Sequence, residues 1–452
     1  MLYERIFYNE NVSRLYTDEA TISYLLRFEN ALAEAQAKHG LILDEAASVI
    51  AECCRVENIN IEQLIHDAAF GGNAAIPLIK QLIAVVKQKN AEAAKWVHFG
   101  ATSQDMIDTA MMLQTKDAFH IILEDLRQLN RQLVTLIKEH RKTVMIGRSF
   151  MQQARPITFG YKVAGWLESL LRSLKEGEEL LQKGFVLQMG GAVGTLSGMN
   201  EKGLQVSETM SDFLHLTCPA KPWHTQRDYV VRIATSLGIL TGNIGKIAKD
   251  ISLLMQTEIA EVLEPVEEGK GGSSTMPHKR NPVGSIAILA NAARVPALVS
   301  TMLSCMVQDH ERATGLWHAE WEILSSIVQL TAGCVRKAIE VTNGLEVRKE
   351  QMLRNLELTN GQIYAENVSL ALAEKIGKEH AHQRIEKYCQ EARENNLHLK
   401  EVLLSKQDIT ALLSAVQINH LFEPAASIGL SNEMIKQVLH EDIVASGGSH
   451  DF

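Results

Sequence analysis

The chain has 452 residues, of which 46% are hydrophobic and 22% are charged, values typical of a soluble globular enzyme and too apolar for a disordered protein. Its net charge is −9 and its basic residues are scattered, which excludes the electrostatic footprint of a nucleic-acid-binding protein. The N-terminus lacks the apolar run of a signal peptide, no apolar stretch is expected to reach the ~18 residues of a membrane span, and six cysteines without CxxC spacing are typical of reduced thiols. These features predict a cytoplasmic protein with no nucleic-acid or membrane partner.

Helices are predicted along the whole chain, because only nine prolines are present and long stretches contain none. Region 1–110 has shorter helices and a Gly-Gly-Asn break at 71–73. Region 111–350 has about five long helices, and region 351–452 has shorter ones again. Two apolar series with steps of three and four residues predict long helices packed in a bundle: Phe119, Ile122, Leu126, Leu129, Leu133 and Leu136, and Val230, Ile233, Leu237, Leu240, Ile244, Ile247, Ile251 and Leu254.

The expected architecture is therefore all-α, with three helical regions and a central bundle. Helices of 30 or more residues exceed the ~8–20 residues of typical globular helices. Assembly into an oligomer through the central bundle is therefore expected. An elongated monomeric bundle is the alternative.

The segment GKGGSSTMPHKRNP at 269–282 interrupts the helical pattern with glycines, serines and three consecutive side chains that can carry positive charge. Asn281 and Pro282 predict a helix start, with Asn at the N-cap and Pro at the first helical position. The free N–H groups of that helix, with Lys279 beside them, predict an anion-binding loop. The segment lacks the residue order and the preceding strand of a phosphate cradle. A solvated linker is the alternative.

The same segment resembles the Gly-Ser-Ser-x-Met-Pro-x-Lys-x-Asn-Pro signature of the fumarase/aspartase superfamily. HFGATSQDMIDTA at 98–110 and GRSFMQQARPITFG at 147–160 resemble two further segments of that superfamily, in the same order. LQMGGAVGTL, PWHTQRD and ERATGLWHAEWEIL look closest to its branch of bacterial 3-carboxy-cis,cis-muconate cycloisomerases. The resemblance extends over nearly the whole chain and implies a homotetramer in which three subunits build each active site.

Phe150 lies where the lyases of this superfamily usually carry a His that acts as acid or base. Because Phe cannot transfer a proton, it argues against fumarase, argininosuccinate lyase and adenylosuccinate lyase. The cycloisomerase resemblance implies conversion of 3-carboxy-cis,cis-muconate to a carboxymuconolactone, in protocatechuate breakdown by the β-ketoadipate pathway. The attacking group in that reaction is a substrate carboxylate, already ionised at neutral pH, so no base is needed to activate it.

The difficult species in such a lactonization is an aci-carboxylate dianion, which requires fixed cations and N–H dipoles and a proton donor above the reacting carbon. Lys279, the helix start at Asn281 and Arg312 are candidates for the stabilising groups. The resemblance makes Ser273 the catalytic serine and the candidate proton donor, with Lys279 as its competitor.

Substrate carboxylates are expected to be bound by residues of several segments. Thr102 and Ser103 resemble the superfamily's carboxylate-binding pair, although Thr102 and Asp105 also match a T-x-x-D capping box. Arg227 either holds a carboxylate or pairs with neighbours on its helix. His98 lies at the edge of the pocket or is only a structural hydrogen-bonding group. The predicted substrate-binding residues are His98, Thr102, Ser103, Gln152, Arg227, Ser274, His278 and Asn281.

Two further groups of residues give weaker evidence for a functional site. His318 and Trp321 resemble cycloisomerase residues, but their spacing is more typical of a core. His380, His382 and Cys389 match no metal-ligand spacing, and no dinucleotide-binding fingerprint is present, so no metal and no cofactor are expected.

Two rival functions stay open: an adenylosuccinate-lyase-like C–N lyase, and a catalytically inactive structural member of the superfamily.

Overall fold

A computed structural model describes residues 3–265, 276 and 278–445 of the chain. The helices are α1 Glu4–Phe7, α2 Glu10–Ser13, α3 Asp18–Lys38, α4 Asp44–Cys53, α5 Ile61–Gly71, α6 Ala75–Lys89, α7 Ser103–His140, α8 Phe159–Lys183, α9 Gly203–Leu214, α10 Asp228–Leu254, α11 Val283–Ser304, α12 Leu316–Thr342, α13 Lys349–Leu356, α14 Ala365–Ile376, α15 Lys378–Glu394, α16 Leu399–Ser405, α17 Gln407–Thr410, α18 Ala415–Leu421 and α19 Ser431–Ala445. The strands are β1 Val144–Ser149, β2 Gln152–Thr158, β3 Val262–Leu263 and β4 Glu346–Val347.

The prediction of an all-α protein with about five long helices is confirmed. These helices are α7, α8, α10, α11 and α12, with 38, 25, 27, 22 and 27 residues. Every residue of the two predicted apolar stripes is at most 7% exposed, so the three-four spacing marked the buried faces of α7 and α10 correctly. The expectation of helices of 30 or more residues holds for α7 and is wrong for the other four.

Two small antiparallel sheets, β1 with β2 and β3 with β4, were not predicted. β1 and β2 form a hairpin whose two turn residues, Phe150 and Met151, both have positive φ, as the common two-residue hairpin turn requires. That turn normally carries Asn-Gly or a similar pair. A bulky Phe-Met pair gives no such signal in the sequence.

The chain divides into two compact units, which are described separately. Unit 1 comprises Met1–Arg127, Ser173–Gly245 and Ala287–Lys337, and in it α3 packs against α4 and α9. Unit 2 comprises Gln128–Arg172, Lys246–Ile286 and Ala338–Phe452. In unit 2, Ile146 of β1 is buried in a cluster with apolar residues of α14, α15 and α16. The division of the chain at residues 110 and 350 stays a prediction.

Helix α11 corrects one expectation from composition. By length and composition it could cross a membrane, whereas no such stretch was expected. The most apolar 18-residue stretch of the helix has a mean hydropathy of 1.6, and 28% of that stretch is buried. One such helix is weak evidence for a membrane protein. Its exposed side chains include Val283, Ile286 and Leu303.

An ion triad lies in the interior of unit 1. Arg227 is 1% exposed and donates to both oxygens of Asp108 and both oxygens of Glu320 at 2.6–3.1 Å. Its fifth N–H contacts the carbonyl of His224 at 3.5 Å. Burial alone would lower the pKa of Arg227, but the attraction of the two carboxylates outweighs it and the pKa is raised.

Another buried carboxylate caps the first turn of α11, the part of that helix that belongs to unit 2. Glu264 is 5% exposed and accepts hydrogen bonds from the backbone N–H groups of Gly284 and Ser285, at 2.9 and 2.8 Å, and from the Ser285 hydroxyl at 2.6 Å. The first helical hydrogen bond runs from Ile286 N–H to the Pro282 carbonyl, so the cap lies one residue after the predicted Asn281. The free N–H groups that were expected to bind an outside anion are thus occupied by the chain's own carboxylate.

We expect Arg227→Met to lower the free energy of unfolding by about 3–5 kcal/mol, because it leaves two buried carboxylates without their cation. The measurement is the urea midpoint of unfolding. The control is Arg232→Met on α10, which begins just after Arg227; Arg232 is exposed and forms an ion pair with Asp228. Equal midpoints for the two variants would contradict the role given to the triad.

We expect Glu264→Ala to speed amide hydrogen exchange at Gly284 and Ser285 and to cost about 1–3 kcal/mol for each buried donor left unpaired. The exposed Glu258, between α10 and β3, gives the control Glu258→Ala. Unchanged protection of the first turn of α11 in the Glu264 variant would show that another group caps it.

Candidate active site

Asp105 organises the predicted segment at the start of α7. It is fully buried and accepts hydrogen bonds from the backbone N–H groups of Thr102 at 3.0 Å and Gly191 at 2.8 Å. Its other oxygen lies 2.7 Å from Nε2 of the buried His224. Asp105 therefore fixes the residues before α7 against two loops that follow α8 and α9.

Gly190 permits this close approach. A Cβ built there would lie 2.7 Å from Pro222 and 2.9 Å from His224, distances that side chains do not tolerate. The neighbouring Gly191, which donates to Asp105, has a φ of 72°. The glycines of LQMGGAVGTL thus serve backbone packing around the Asp105 carboxylate.

Thr102 and Arg312, both predicted site residues, are in direct contact. Nη1 of Arg312 donates to the Thr102 hydroxyl at 2.9 Å and to the carbonyl of Ala192 at 3.4 Å. The capping-box prediction is half right: the Asp105 carboxylate accepts from Thr102 N–H, but the Thr102 hydroxyl is bonded to Arg312. The hydroxyl and the guanidinium form a donor pair next to Ser103, which is half-buried.

Trp317 supports the Arg312 side chain. The guanidinium carbon lies 5.9 Å from the centre of a Trp317 ring, and the indole N–H donates to Asp108 at 2.9 Å. Burial lowers the pKa of Arg312, while the carboxylates of Asp105 and Asp108 oppose this shift. An arginine remains cationic under such conditions, so the pair presents one fixed positive charge.

His98 lies just before this set and is paired with a residue that was not predicted. The buried Glu29 carboxylate contacts Nδ1 of His98 at 2.5 Å and accepts the His98 backbone N–H at 3.0 Å. Burial alone would lower the pKa of His98, but the charge and hydrogen bond of Glu29 and the charge of Asp105 outweigh it, so the pKa is raised. A cationic imidazole is therefore favoured.

In unit 2, the segment at 147–160 forms most of the hairpin and the start of α8. Phe150 at the hairpin tip is 98% exposed, and Gln152 at the start of β2 is exposed. Arg148 of β1 forms two hydrogen bonds, of 2.7 and 2.9 Å, with the buried Glu261 just before β3. This pair joins the hairpin to the strand that leads toward the third segment.

Of the third segment, the described residues are Met276 and those from His278 onward, so the predicted Ser273 and Ser274 lie outside the described residues. His278 and Lys279 are exposed and Asn281 is half-buried. Arg280 is bound to the carbonyl of Glu264 at 2.8 Å and to the carboxylate of Glu346 at 2.9 Å. One of the three predicted cationic positions therefore holds the end of the segment in place.

The predicted residues thus fall into two sets. Unit 1 brings Thr102, Ser103 and Arg312 together and places His98 just before them; unit 2 contains Gln152, His278, Lys279 and Asn281. Arg227 is a correction, because all five of its N–H groups are used inside the core and none is left for a substrate carboxylate.

His318 and Trp321, which resemble cycloisomerase residues but have a spacing more typical of a core, lie on the first turns of α12. His318 is exposed and Trp321 is half-buried, and their rings pack against each other with centroids 4.7 Å apart. Trp321 also packs edge-on against Trp317, with centroids 4.9 Å apart. This cluster agrees with the interpretation of Trp321 as a packing residue.

Sequence reasoning missed the acidic partners Glu29, Glu261 and Glu264, and it assigned no role to His224. Each of the three glutamates is at most 5% exposed and binds a residue of one of the three segments or the first turn of α11. The only sequence signal was an acidic residue inside an otherwise apolar helix face, as at Glu29 in RFENALAEA. Among the described residues no group of three or more potential metal ligands occurs, and the absence of a metal stays a prediction.

Comparisons with known proteins agree on one family. A family model described as Lyase matches residues 3–297, and one described as Adenylosuccinate lyase C-terminus matches residues 361–438. A protein of Acinetobacter baylyi named 3-carboxy-cis,cis-muconate cycloisomerase is 43% identical over 97% of this chain and 98% of its own length. One of the same name from Bradyrhizobium diazoefficiens is 44% identical over 93% of this chain and 94% of its own length.

A solved structure gives the same answer for the fold. The crystal structure of 3-carboxy-cis,cis-muconate lactonizing enzyme from Pseudomonas putida superposes with a TM-score of 0.93 at 40% identity, covering 98% of this chain and 99% of that one. The resemblance expected from the three segments is confirmed. This chain belongs to the lyase family, the fumarase/aspartase superfamily.

Proposed function

We propose that the chain is a 3-carboxy-cis,cis-muconate cycloisomerase, an intramolecular lyase that forms a carboxymuconolactone in the protocatechuate branch of the β-ketoadipate pathway. The observation that carries the proposal is the match to proteins of that name over nearly the whole chain, in sequence and in structure. The donor pair of Thr102 and Arg312 is consistent with it, since the substrate carries three carboxylates.

The reaction needs no oxidant and no second substrate. One carboxylate oxygen forms a C–O bond to an alkene carbon, and the electron pair of that double bond moves to the neighbouring carbon. The carboxylate next to that carbon takes up the charge as an aci-carboxylate, and a proton then closes the reaction at carbon. The trianion plus one proton gives the lactone dianion, so atoms and charge balance.

Residue roles follow from charge and exposure. Arg312, held by Thr102 and Trp317, is the fixed cation that binds a substrate carboxylate. Lys279 is exposed, and its backbone N–H is bonded to the Met276 carbonyl at 3.1 Å; we assign its ammonium group the role of cation or acid. Ser273 remains the competing proton donor. His98, Ser103, Gln152, Ser274, His278 and Asn281 complete the proposed substrate contacts.

We do not give the first turn of α11 the role of binding a substrate anion, which the sequence had predicted. Since Glu264 occupies its N–H groups, stabilisation of the dianion rests on side-chain cations and not on the helix end. Phe150 gives the hairpin tip no acid or base, in line with a reaction whose nucleophile is already ionised.

We also propose that the cytoplasmic enzyme is a homotetramer in which copies of α11 pack together and the two sets of site residues meet between copies. The apolar, weakly buried surface of α11 and the exposed Phe150 at the hairpin tip support this assembly. A membrane-spanning role for α11 is the competing reading.

A second candidate function is a C–N lyase of the adenylosuccinate lyase kind. The match of residues 361–438 to a model described as Adenylosuccinate lyase C-terminus favours it. The absence of an acid or base at Phe150 disfavours it. An inactive structural protein is the third possibility, and the assay below separates all three.

We expect the purified protein to consume 3-carboxy-cis,cis-muconate, seen as loss of conjugated-diene absorbance, and to leave adenylosuccinate intact. Lys279→Ala or Ser273→Ala should reduce kcat by ~10² or more if that residue delivers the proton. Lys375→Ala, at an exposed lysine of α14, is the control. Cleavage of adenylosuccinate, or no reaction with either compound, would reject the proposed activity.

We expect Leu303→Glu to dissociate the tetramer in light scattering after gel filtration, because it places a charge in the proposed apolar contact of α11. Leu370→Glu, at an exposed leucine of α14, should leave the mass unchanged. A monomeric unsubstituted protein, or recovery of the protein with membranes, would refute the assembly.

A further inference from the structure

Glu29 has contacts that a packing residue does not need. It lies in the middle of α3, is 1% exposed, and has both carboxylate oxygens directed to one residue. One oxygen accepts the backbone N–H of His98 and the other contacts Nδ1 of the same residue. A buried carboxylate thus fixes both the backbone and the ring of His98.

The backbone of His98 needs such a restraint. Its φ is 58°, in the left-handed region, which costs a non-glycine residue roughly 1–2 kcal/mol. Conformations of this kind persist where surrounding contacts over-determine them, and they concentrate at functional sites. The His98 carbonyl also accepts the N–H of Ala101 at 3.3 Å, in the turn that leads to Thr102.

The contact with Glu29 also decides which ring nitrogen of His98 remains available to a ligand. An ionised carboxylate only accepts hydrogen bonds, so Nδ1 must carry the proton that lies between it and Glu29. Within the described part of the chain, no hydrogen bond to Nε2 of His98 is found. The side chain keeps 13% of its surface exposed.

We propose that Glu29 is a positioning residue, which holds His98 so that its Nε2–H serves as a second cationic donor, besides Arg312, for a carboxylate of the substrate. The identity of that substrate rests on the proposed function, whereas the pairing itself does not. With two fixed cations in unit 1, two carboxylates of one ligand molecule are bound at separate points. Such two-point binding orients the ligand for attack by its own third carboxylate.

The charged neighbours of His98 set the pH dependence. Glu29 on α3 and Asp105 on α7 act on the imidazole directly. Cys54, which follows α4, lies near Glu29, while His224 and Arg312 lie near Asp105. Because the pKa of His98 is raised, the imidazolium is present at and above its ordinary titration range, and substrate binding weakens only as the pH rises through that higher pKa.

The decisive variant is Glu29→Gln, which keeps the shape of the side chain and an acceptor for the His98 N–H but removes the charge. The first readout is the rate of hydrogen exchange at the imidazole C2 position of the His98 peptide, followed by mass spectrometry across pH, which gives the pKa of that residue in the resting protein. We expect a pKa above the ordinary value of about 6.5 in the unsubstituted protein and a lower one in Glu29→Gln.

The second readout is steady-state kinetics with 3-carboxy-cis,cis-muconate. Glu29→Gln should raise KM by about 10- to 100-fold, the usual value of a hydrogen bond to a charged group, with a smaller change in kcat. The rise of KM with pH should begin at lower pH in the variant. Glu34→Gln, an exposed glutamate of the same helix, should change neither the exchange nor the KM.

The pKa of His98 and the KM give results that lead to different conclusions. An unsubstituted His98 that titrates at or below the ordinary value overturns the inference, whether or not the protein is active. A lowered pKa with an unchanged KM overturns the role in substrate binding. If Glu29→Gln does not fold, Glu29→Asp, which keeps the charge and shortens the side chain, should keep a raised pKa and still increase KM. Lack of turnover by the unsubstituted protein refutes the proposed function alone.

Discussion

Two buried carboxylates one helical turn apart, Asp105 and Asp108, determine how unit 1 is built around its candidate site. A buried carboxylate without donors is prohibitively costly, so each must draw donors from other parts of the chain. Asp105 takes them from the Thr102 backbone, Gly191 and His224, and Asp108 takes them from Arg227 and Trp317. Three separate segments, which contain Gly191, His224 with Arg227, and Trp317, are thereby held at the start of α7, and the position of Arg312 follows from that framework.

The sequence was sufficient for the features that depend on local periodicity or on a contiguous motif. The stripes beginning at Phe119 and Val230 are buried because the spacing of a helix alone determines which side chains share a face. Thr102 and Arg312 were predicted separately, from two motifs 210 residues apart, and the structure places them in contact. Neither motif on its own indicated that the hydroxyl of one would bind the guanidinium of the other.

What the sequence could not provide are the long-range partners of charged groups. Arg227 looked like a possible ligand-binding residue because its two carboxylates lie 119 and 93 residues away. The positive end of α11 was correctly expected to attract an anion, but that anion is Glu264, a residue outside the quoted motif. In both cases the electrostatic principle was right, and the partner could be identified only from the folded chain.

The contacts of Glu264 and Arg280 also bear on how such a scaffold can change its chemistry. They anchor the two ends of the connection between β3 and α11 through the α11 N–H groups, the Glu264 carbonyl and Glu346, and none of these groups belongs to residues 266–275. These anchoring bonds therefore use no side chain of that stretch. Side chains of that stretch can differ between related chains while both anchors are kept, which makes this connection a natural place for one scaffold to acquire different reactions.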